Sequence, residues 1–338
     1  MKDNNKELPP SVALMQMITG FWVSSAIYVA AKLGLADHMG DNSINADELA
    51  LRVRAHPGAL YRLLRALSSI GVFTEVEPRC FALTPIGNCL KSGPGSLRAF
   101  SIVGKEIGWE TWGQLLHSVK TGETAFDHLH GMGYFDYLQQ NPELAQLFDE
   151  AMTGFVTMNG LAVAAAYDFT PFATIIDVGG GHATLMASIL KQNPQAKGIV
   201  FDRPEVAEGA KSSLASAGVS DRCEYIGGDF FVTVPTGGDA YLLASVIHDW
   251  DDEKSIEILK NCRRAMGGTA KLLLVEMVIP PGDTFFFGKL LDLNMLVNFS
   301  GRERTELEYR NLLSDAGFQL TRIVPTKTPS SLIEAIPV

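Results

Sequence analysis

One twelve-residue stretch constrains the fold of this chain more than any other: Thr174–Leu185, TIIDVGGGHATL. An apolar strand pattern runs into Asp177 and three glycines, and a helical pattern then begins. Glycines at such a strand-to-helix turn permit positive φ angles and let backbone N–H groups and the helix N-terminus approach a ligand closely. We therefore predict a nucleotide-binding turn here, with a tight turn that holds no ligand as the alternative.

The rest of the C-terminal half alternates between strand and helix patterns. Polar residues close or follow several of the apolar runs, namely Asp202, Asp229 and His248. The alternation predicts a parallel, doubly wound sheet with helices on both faces, in which such residues converge on one crevice. We expect strands near 174–178, 197–201, 223–226, 240–246, 271–277, 318–324 and 331–337, and helices near 183–192, 204–217, 252–266 and 307–316.

The glycine pattern by itself does not select the ligand. A dinucleotide fingerprint G-x-G-x-x-G that starts at Gly179 fits Gly181, but Thr184 stands where the third glycine belongs. Asp202 lies 202 − 181 = 21 residues beyond Gly181. That spacing suits an acid that binds ribose hydroxyls in either an NAD enzyme or an enzyme with an adenosyl cofactor. Both remain open from spacing alone.

The N-terminal region contains 24 consecutive residues without a charge, Leu8–Ala31, which is enough to cross a bilayer. Prolines, serines and glycine dilute its hydropathy, and no strongly basic segment precedes it. The pattern from Val12 to Leu35 is apolar almost all round, which indicates burial on more than one side. We expect a buried or subunit-interface helix and no membrane span.

Residues 45–83 read as helix, turn, helix and hairpin, which is a winged-helix pattern. Such a unit either binds DNA or packs against a second subunit. Residues 1–100 carry 10 basic and 8 acidic side chains (+2), and residues 101–338 carry 18 and 30 (−12). Because this balance disfavours nucleic acid, we predict a homodimer. The four cysteines show no C-x-x-C spacing, which favours a reduced, cytoplasmic protein without a zinc site.

His248 ends an apolar run and enters the acidic stretch HDWDDE. A neutral imidazole with a pKa near ~6.5 suits the removal of a proton from a hydroxyl. Glu276 and Glu303 are the candidates for fixing its tautomer. The alternative is a hydrogen-bonded core histidine without a catalytic role.

The chain resembles the S-adenosylmethionine-dependent O-methyltransferases of the plant caffeate and hydroxyindole type, which have many bacterial natural-product relatives. The resemblance covers nearly the whole chain. Two departures concern Ala183, where many members have glycine, and Ala244-Ser245, where many carry a basic residue. The segments that carry the resemblance are DVGGGHA (177–183), FDRP (201–204), GDFF (228–231), HDWDDE (248–253), LLLVEMVIP (272–280) and GRERTELEY (301–309).

The resemblance implies a Rossmann-like class I methyltransferase sheet behind a mainly helical winged-helix dimerisation domain. It also implies S-adenosyl-L-methionine as the cofactor and a small molecule with a hydroxyl group as the substrate. Gly179 and Gly181 would contact the methionine moiety, Asp202 the ribose, and Asp229 with Phe230 the adenine. Asp177, Arg203, Ser245 and Trp250 complete the expected cofactor site, while His248 would be the general base flanked by Glu276 and Glu303.

We expect three regions: a dimerisation domain at 1–100, a helical substrate-pocket region at 101–168, and a cofactor-binding domain at 169–338. The predicted activity is methylation of a hydroxyl on a small aromatic or polyketide-like molecule. Some relatives bind the cofactor and instead run a hydroxylation, a decarboxylation or a pericyclic step. That alternative stays open from the sequence.

Overall fold

The computed structural model describes residues 8–93 and 95–338, with the side chains of 155–158 and 208 not described. The described chain divides into two compact units. The first contains the N-terminal residues up to Gly108 together with Gln146–Gly154, and the second contains Trp109–Ala145 and Phe155–Val338.

The first unit is mainly helical with a small three-stranded antiparallel sheet in the order β1-β3-β2. Asn45 caps one helix with its side chain, which accepts a hydrogen bond from the N–H of Asp47, and His56 caps the next through its ring nitrogen. The helix, turn, helix and hairpin predicted for this region are present. The elements are α1 (Pro10–Ile18), α2 (Gly20–Lys32), α3 (Leu35–Met39), β1 (Ile44–Asn45), α4 (Ala46–Arg52), α5 (Pro57–Ser69), β2 (Phe73–Glu77), β3 (Cys80–Leu83), α6 (Pro85–Asn88) and α7 (Arg98–Glu106).

The long N-terminal apolar segment is only partly buried in the described chain. It forms two helices that meet at Thr19, and α1 has no buried residue. Trp22 and Met17 are 63% and 77% exposed, whereas Ala30 and Ala31 at the end of α2 are buried. The subunit-interface alternative stays a prediction. By length and composition Pro10–Lys32 could cross a membrane, with a mean hydropathy of 1.5, which is weak evidence for a segment near the N-terminus. Part of α2 packs against the core of the first unit, while most apolar side chains of α1 are exposed among the described residues.

The second unit begins with short helices and continues as an α/β domain. Helix α12 belongs to both units, because its middle part is Gln146–Gly154. The helices are α8 (Gly108–Gly113), α9 (Leu115–Thr121), α10 (Ala125–His130), α11 (Tyr134–Gln140), α12 (Pro142–Ala166), α13 (Thr184–Gln192), α14 (Ala207–Ala217), α15 (Asp252–Ala265), α16 (Phe287–Asn298) and α17 (Glu306–Asp315), with 3₁₀ turns at Pro204–Val206, Ser220–Arg222 and Ile247–Asp249. The strands are β4 (Thr174–Val178), β5 (Lys197–Asp202), β6 (Cys223–Gly227), β7 (Ala240–Ala244), β8 (Lys271–Ile279), β9 (Arg304–Thr305), β10 (Phe318–Pro325) and β11 (Ser330–Pro337).

The strands of this unit form one mixed sheet in the order β10-β11-β8-β7-β4-β5-β6. Strands β4 to β8 pair in parallel, β11 is antiparallel to β8 and β10, and short β9 pairs in parallel with the end of β8. Successive residues of β4 point to opposite faces, so Ile175 and Ile176 enter different core clusters. Helices α13 and α14 cover one face, and α15 and α17 cover the other.

The chain order reverses between β4 and β7, because β5 and β6 lie on one side of β4 and β7 and β8 on the other. Ligands of open α/β sheets bind at such a switch point, beyond the carboxyl ends of the strands. The glycine turn follows β4 and the His248 turn follows β7, so both lie at this edge. The predicted doubly wound α/β fold is confirmed.

Candidate active site

His248 lies in the 3₁₀ turn after β7 and contacts both predicted glutamates. Its Nδ1 is 2.8 Å from Oε1 of Glu303 and 3.5 Å from Oε2 of Glu276. Glu276 comes from β8, and Glu303 comes from the loop before β9. Both carboxylates therefore act on the same ring nitrogen. An Nδ1–H that donates to Glu303 leaves Nε2 as the nitrogen with a free lone pair in the neutral ring.

The two glutamates are buried, at 1% and 3% exposure. Oε1 of Glu276 accepts hydrogen bonds from the backbone N–H groups of Val246 (3.1 Å) and Ile247 (2.9 Å). Oε2 of Glu276 and Oε2 of Glu303 have no hydrogen-bond partner among the described residues. Two carboxylates in one buried site favour a cationic neighbour, and His248 is that neighbour.

The pKa of His248 departs from the sequence-based expectation. Burial of the ring lowers its pKa, but Glu276, Glu303 and Asp249 raise it by more, so it lies well above 6.5. Burial also raises the pKa of Glu276. The surroundings of His248 therefore differ from those of a free imidazole, to which the value near ~6.5 applies. Once it has lost its extra proton, an imidazole whose pKa is raised in this way is a stronger base than a free imidazole.

Asp249 was not named among the expected site residues. Its Oδ1 is 3.5 Å from Nε2 of His248, and burial raises the pKa of its carboxyl to about 6. The buried Tyr134 hydroxyl is close enough for the charge of Asp249 to add to the burial that raises its pKa. The free nitrogen of His248 thus faces a third acidic group. Its place directly after the histidine was the one signal in the sequence.

The glycine turn has the geometry of a cradle. Gly179 and Gly181 have φ angles of +75° and +51°, and a Cβ on Gly181 would meet no atom within 4 Å. Oδ2 of Asp202 accepts a hydrogen bond of 2.8 Å from the N–H of Gly181. Asp177 is 1% exposed, neither of its oxygens has a hydrogen-bond partner in the described part of the chain, and burial raises its pKa to about 7. Open space over Gly181 and a buried carboxyl without a described partner fit a bound polar ligand.

The remaining expected cofactor residues surround this turn. A Cβ on Gly179 would lie 3.7 Å from the Phe230 ring, whose centroid is 6.2 Å from that of Trp250 in an edge-on arrangement. Ser245 has a φ of +53°, a strained value for a non-glycine residue, at the start of the turn that carries His248. Asp229 is exposed and accepts a hydrogen bond from the N–H of Phe231, and Arg203 is exposed beside Asp202.

Comparisons with known proteins agree with this geometry. The profile of the O-methyltransferase domain family matches residues 112–319, and the profile of the O-methyltransferase dimerisation domain matches residues 15–93. A phenazine O-methyltransferase of Lysobacter antibioticus is 49% identical over 100% of both chains. A phenazine-1-carboxylate N-methyltransferase of Pseudomonas aeruginosa is 32% identical over 98% of this chain and 99% of its own length.

Two solved structures share the fold over the whole length. The crystal structure of LaPhzM superposes with a TM-score of 0.94 at 49% identity, covering 98% of this chain and 100% of its own. Human N-acetylserotonin methyltransferase, solved with S-adenosylmethionine, gives a TM-score of 0.89 at 26% identity and covers 99% of each chain.

The sheet order, the glycine turn and the histidine at its edge define a class I S-adenosylmethionine-dependent methyltransferase. Within that class, the chain belongs to the plant-type O-methyltransferase family, whose relatives among bacterial biosynthetic enzymes include both O- and N-methyltransferases.

Proposed function

We propose that this methyltransferase methylates a hydroxyl of a small aromatic or polyketide-like molecule, with His248 as the general base. One observation carries the proposal. Nδ1 of His248 is bound to Glu303, while Nε2 is the nitrogen that remains for a substrate proton. The 49% identical phenazine O-methyltransferase supports an aromatic acceptor of this kind.

A base is needed for one class of acceptor and not for the other. A ring nitrogen attacks through a lone pair that carries no proton, whereas a phenolic oxygen must lose its proton as it attacks. A buried imidazole held by two carboxylates is suited to the second task. This argument favours O-methylation over methylation of a ring nitrogen.

When bound, S-adenosylmethionine supplies a methyl group on a sulfonium sulfur. Nε2 of His248 takes the proton of the acceptor hydroxyl as the oxygen gains negative charge. Glu303 holds Nδ1–H and so fixes the tautomer, and Glu276 adds negative charge that stabilises the imidazolium that forms. The proton then leaves to solvent. Alignment of the acceptor contributes most of the acceleration, and the base adds about 10²–10⁴-fold.

We assign the cofactor contacts as the resemblance implies them. The buried Asp177, the glycine turn with the open position at Gly181, and Asp202 would hold the polar groups of the methionine and ribose. The aromatic rings at the Phe230 end would cover the adenine. Asp229, Arg203, Ser245 and Trp250 complete this proposed set. The unpartnered oxygens of Asp177 are the observation that supports a polar ligand at this point.

We also propose that the protein is a cytoplasmic homodimer formed through its N-terminal region, with the domain boundaries near residues 100 and 168. The dimerisation-domain profile and the exposed apolar side chains of α1 and α2 support this arrangement. A second copy of the chain would bury Trp22 and Met17, which are otherwise exposed to water.

The test uses methyl-labelled cofactor and two acceptors: a hydroxyphenazine, and phenazine-1-carboxylate, which offers ring nitrogens and no hydroxyl. We expect transfer to the hydroxyphenazine, and a fall of roughly 10²–10⁴-fold in His248→Ala with binding of S-adenosylhomocysteine retained. His38→Ala, which changes an exposed histidine of the first unit, is the control. Methylation of phenazine-1-carboxylate but not of the hydroxyphenazine, or near-full activity of His248→Ala, would contradict the proposal.

A further inference from the structure

The segment from Gly301 to Thr305 carries Glu303 and is fixed against the backbone of the His248 turn. A Cβ on Gly301 would collide with the carbonyl oxygen of His248 and with the backbone of the two residues that follow it. Arg304 and Thr305 form β9, which pairs with the end of β8. Strand β8 also carries Glu276. Both glutamates are thus held on adjacent backbone.

The side chain of Arg304 is fully buried and joins this segment to the His248 turn by hydrogen bonds. Its guanidinium donates to the carbonyl oxygens on either side of His248, at 3.1 Å to Ile247 and 3.0 Å to Trp250. The other acceptors are Oδ1 of Asp252 at 2.8 and 3.1 Å, the carbonyl oxygen of Arg302 at 3.3 Å and Oγ of Ser255 at 3.3 Å.

Burying a guanidinium costs free energy that one carboxylate partner does not always repay. Here the planar fork of Arg304 donates to the Trp250 carbonyl and to the Ile247 carbonyl, which also accepts the N–H of Trp250, and Asp252 neutralises its charge. Lysine offers a point charge with three donors on one nitrogen and cannot span the same acceptors. Because burial of this guanidinium costs free energy and the guanidinium contacts the turn of the predicted base, we look for its role in the reaction.

We infer that Arg304 is a positioning residue for the reaction: by bridging the carbonyls of Ile247 and Trp250, it holds the His248 turn and the Glu303 loop in the register that joins Nδ1 to Oε1. Arg304 does not touch the reacting atoms. The inference rests on the proposed role of His248 as the base.

Among the described residues, the acidic groups that raise the pKa of His248 are Glu276 from β8, Glu303 from the loop, and Asp249 from its own turn. Behind them, Asp292 of α16 accepts a hydrogen bond of 2.9 Å from the N–H of Glu303. Loosening the loop moves Glu303 away from Nδ1 and lowers the pKa of His248, because one of the carboxylates that raise it recedes.

The experiment compares pH profiles of kcat for the wild type, Arg304→Lys and Arg302→Lys. Arg302 is the matched control, because its exposed guanidinium binds the other oxygen of the Asp252 carboxylate from the same loop. For Arg304→Lys we expect a fall in plateau kcat of roughly 10–100-fold, since small misplacements of catalytic groups have such effects. We also expect the rising limb to move about half a unit to one unit toward lower pH. Arg302→Lys should match the wild type.

If the role of Arg304 is purely structural, Arg304→Lys lowers Tm and lowers kcat by the same factor at every pH, and the rising limb of the pH profile stays in place. That result overturns the inference. If Arg304→Lys does not fold, Asp252→Asn replaces it, because it keeps the guanidinium and removes its counter-charge. A rising limb displaced toward lower pH then supports the inference, and an unmoved limb overturns it. If the wild-type limb is unchanged in His248→Ala, the proposed function has failed. If that limb depends on His248 and Arg304→Lys still matches the control, only the positioning role has failed.

Discussion

Replacement of Glu303 by glutamine tests the electrostatic arrangement of the site directly. The change removes a negative charge 2.8 Å from Nδ1 of His248 and leaves Glu276 and Asp249, both 3.5 Å from the ring. An opposite charge at such distances shifts a pKa by about 1–3 units, at about 1.4 kcal/mol per unit. Because the nearest of three carboxylates is lost and the other two stay, we expect the pKa of His248 to fall but to remain raised.

The sign of the effect on rate depends on pH. Only the deprotonated ring accepts a proton, so kcat rises with pH through the raised pKa of His248. In Glu303→Gln that rise occurs at lower pH, but the plateau is lower by about 10²-fold, because the amide no longer fixes the tautomer. The ratio of wild-type to variant rates should therefore grow as the pH increases.

The assay is kcat against pH with a saturating hydroxyl acceptor, and Glu303→Asp is the control. Aspartate keeps the charge and shortens the side chain by one methylene, so the limb should stay within about half a unit of the wild type while the plateau falls. Urea unfolding gives a second measure. The His248–Glu303 pair stabilises the fold fully below pH 6.5, and that contribution is lost as pH rises through the raised pKa. An unchanged limb in Glu303→Gln would refute this account of the raised pKa.

Three further predictions concern other parts of the chain. Asp177→Asn should raise the free energy of unfolding at pH 8 by roughly 2–4 kcal/mol, because the pKa of the buried acid is raised to about 7, while titration calorimetry shows weaker binding of S-adenosylhomocysteine. Burial raises the pKa of Glu334, but hydrogen bonds from Tyr167 and other groups outweigh it and lower that pKa to about 2. Glu334→Gln should therefore lower the free energy of unfolding at pH 7 by about 1–2 kcal/mol, and in urea melts the difference should vanish as pH falls toward 2. Trp22→Asp should yield monomer in analytical ultracentrifugation, whereas the equally exposed Leu307→Asp should sediment as the wild type. A Trp22→Asp dimer as stable as the wild type would exclude α2 from the interface.

Local sequence determined most of the α/β fold. The strand β4 and the glycine turn follow from an apolar run that ends in Asp177 and three glycines, and every other strand predicted from residue 174 onward appears within a few residues of its expected position. Such patterns are short-range: a period of two or 3.6 residues and the conformational freedom of glycine act within about ten positions. The pattern of helices and hairpin in the N-terminal region was predictable for the same reason.

The apolar N-terminal segment shows where that reasoning ends. Its composition demands a cover but does not say whether the cover is the same chain, and in the fold α1 has no buried residue. Helix α16 was also not predicted, although it supplies Asp292 to the backbone of Glu303. A hydrophobic period does not reveal which partner a helix face meets.

The sequence by itself also supplied the chemical groups of the site, His248 with two glutamates, but not their electrostatics. Glu303 stands in a polar run of charged residues, and nothing in that run indicates that the side chain of Arg304 is fully buried. Only the tertiary structure placed both carboxylates on one nitrogen and so raised the pKa of the histidine. The physical reason is that a pKa depends on distance and burial in three dimensions, which the order of residues along the chain does not specify.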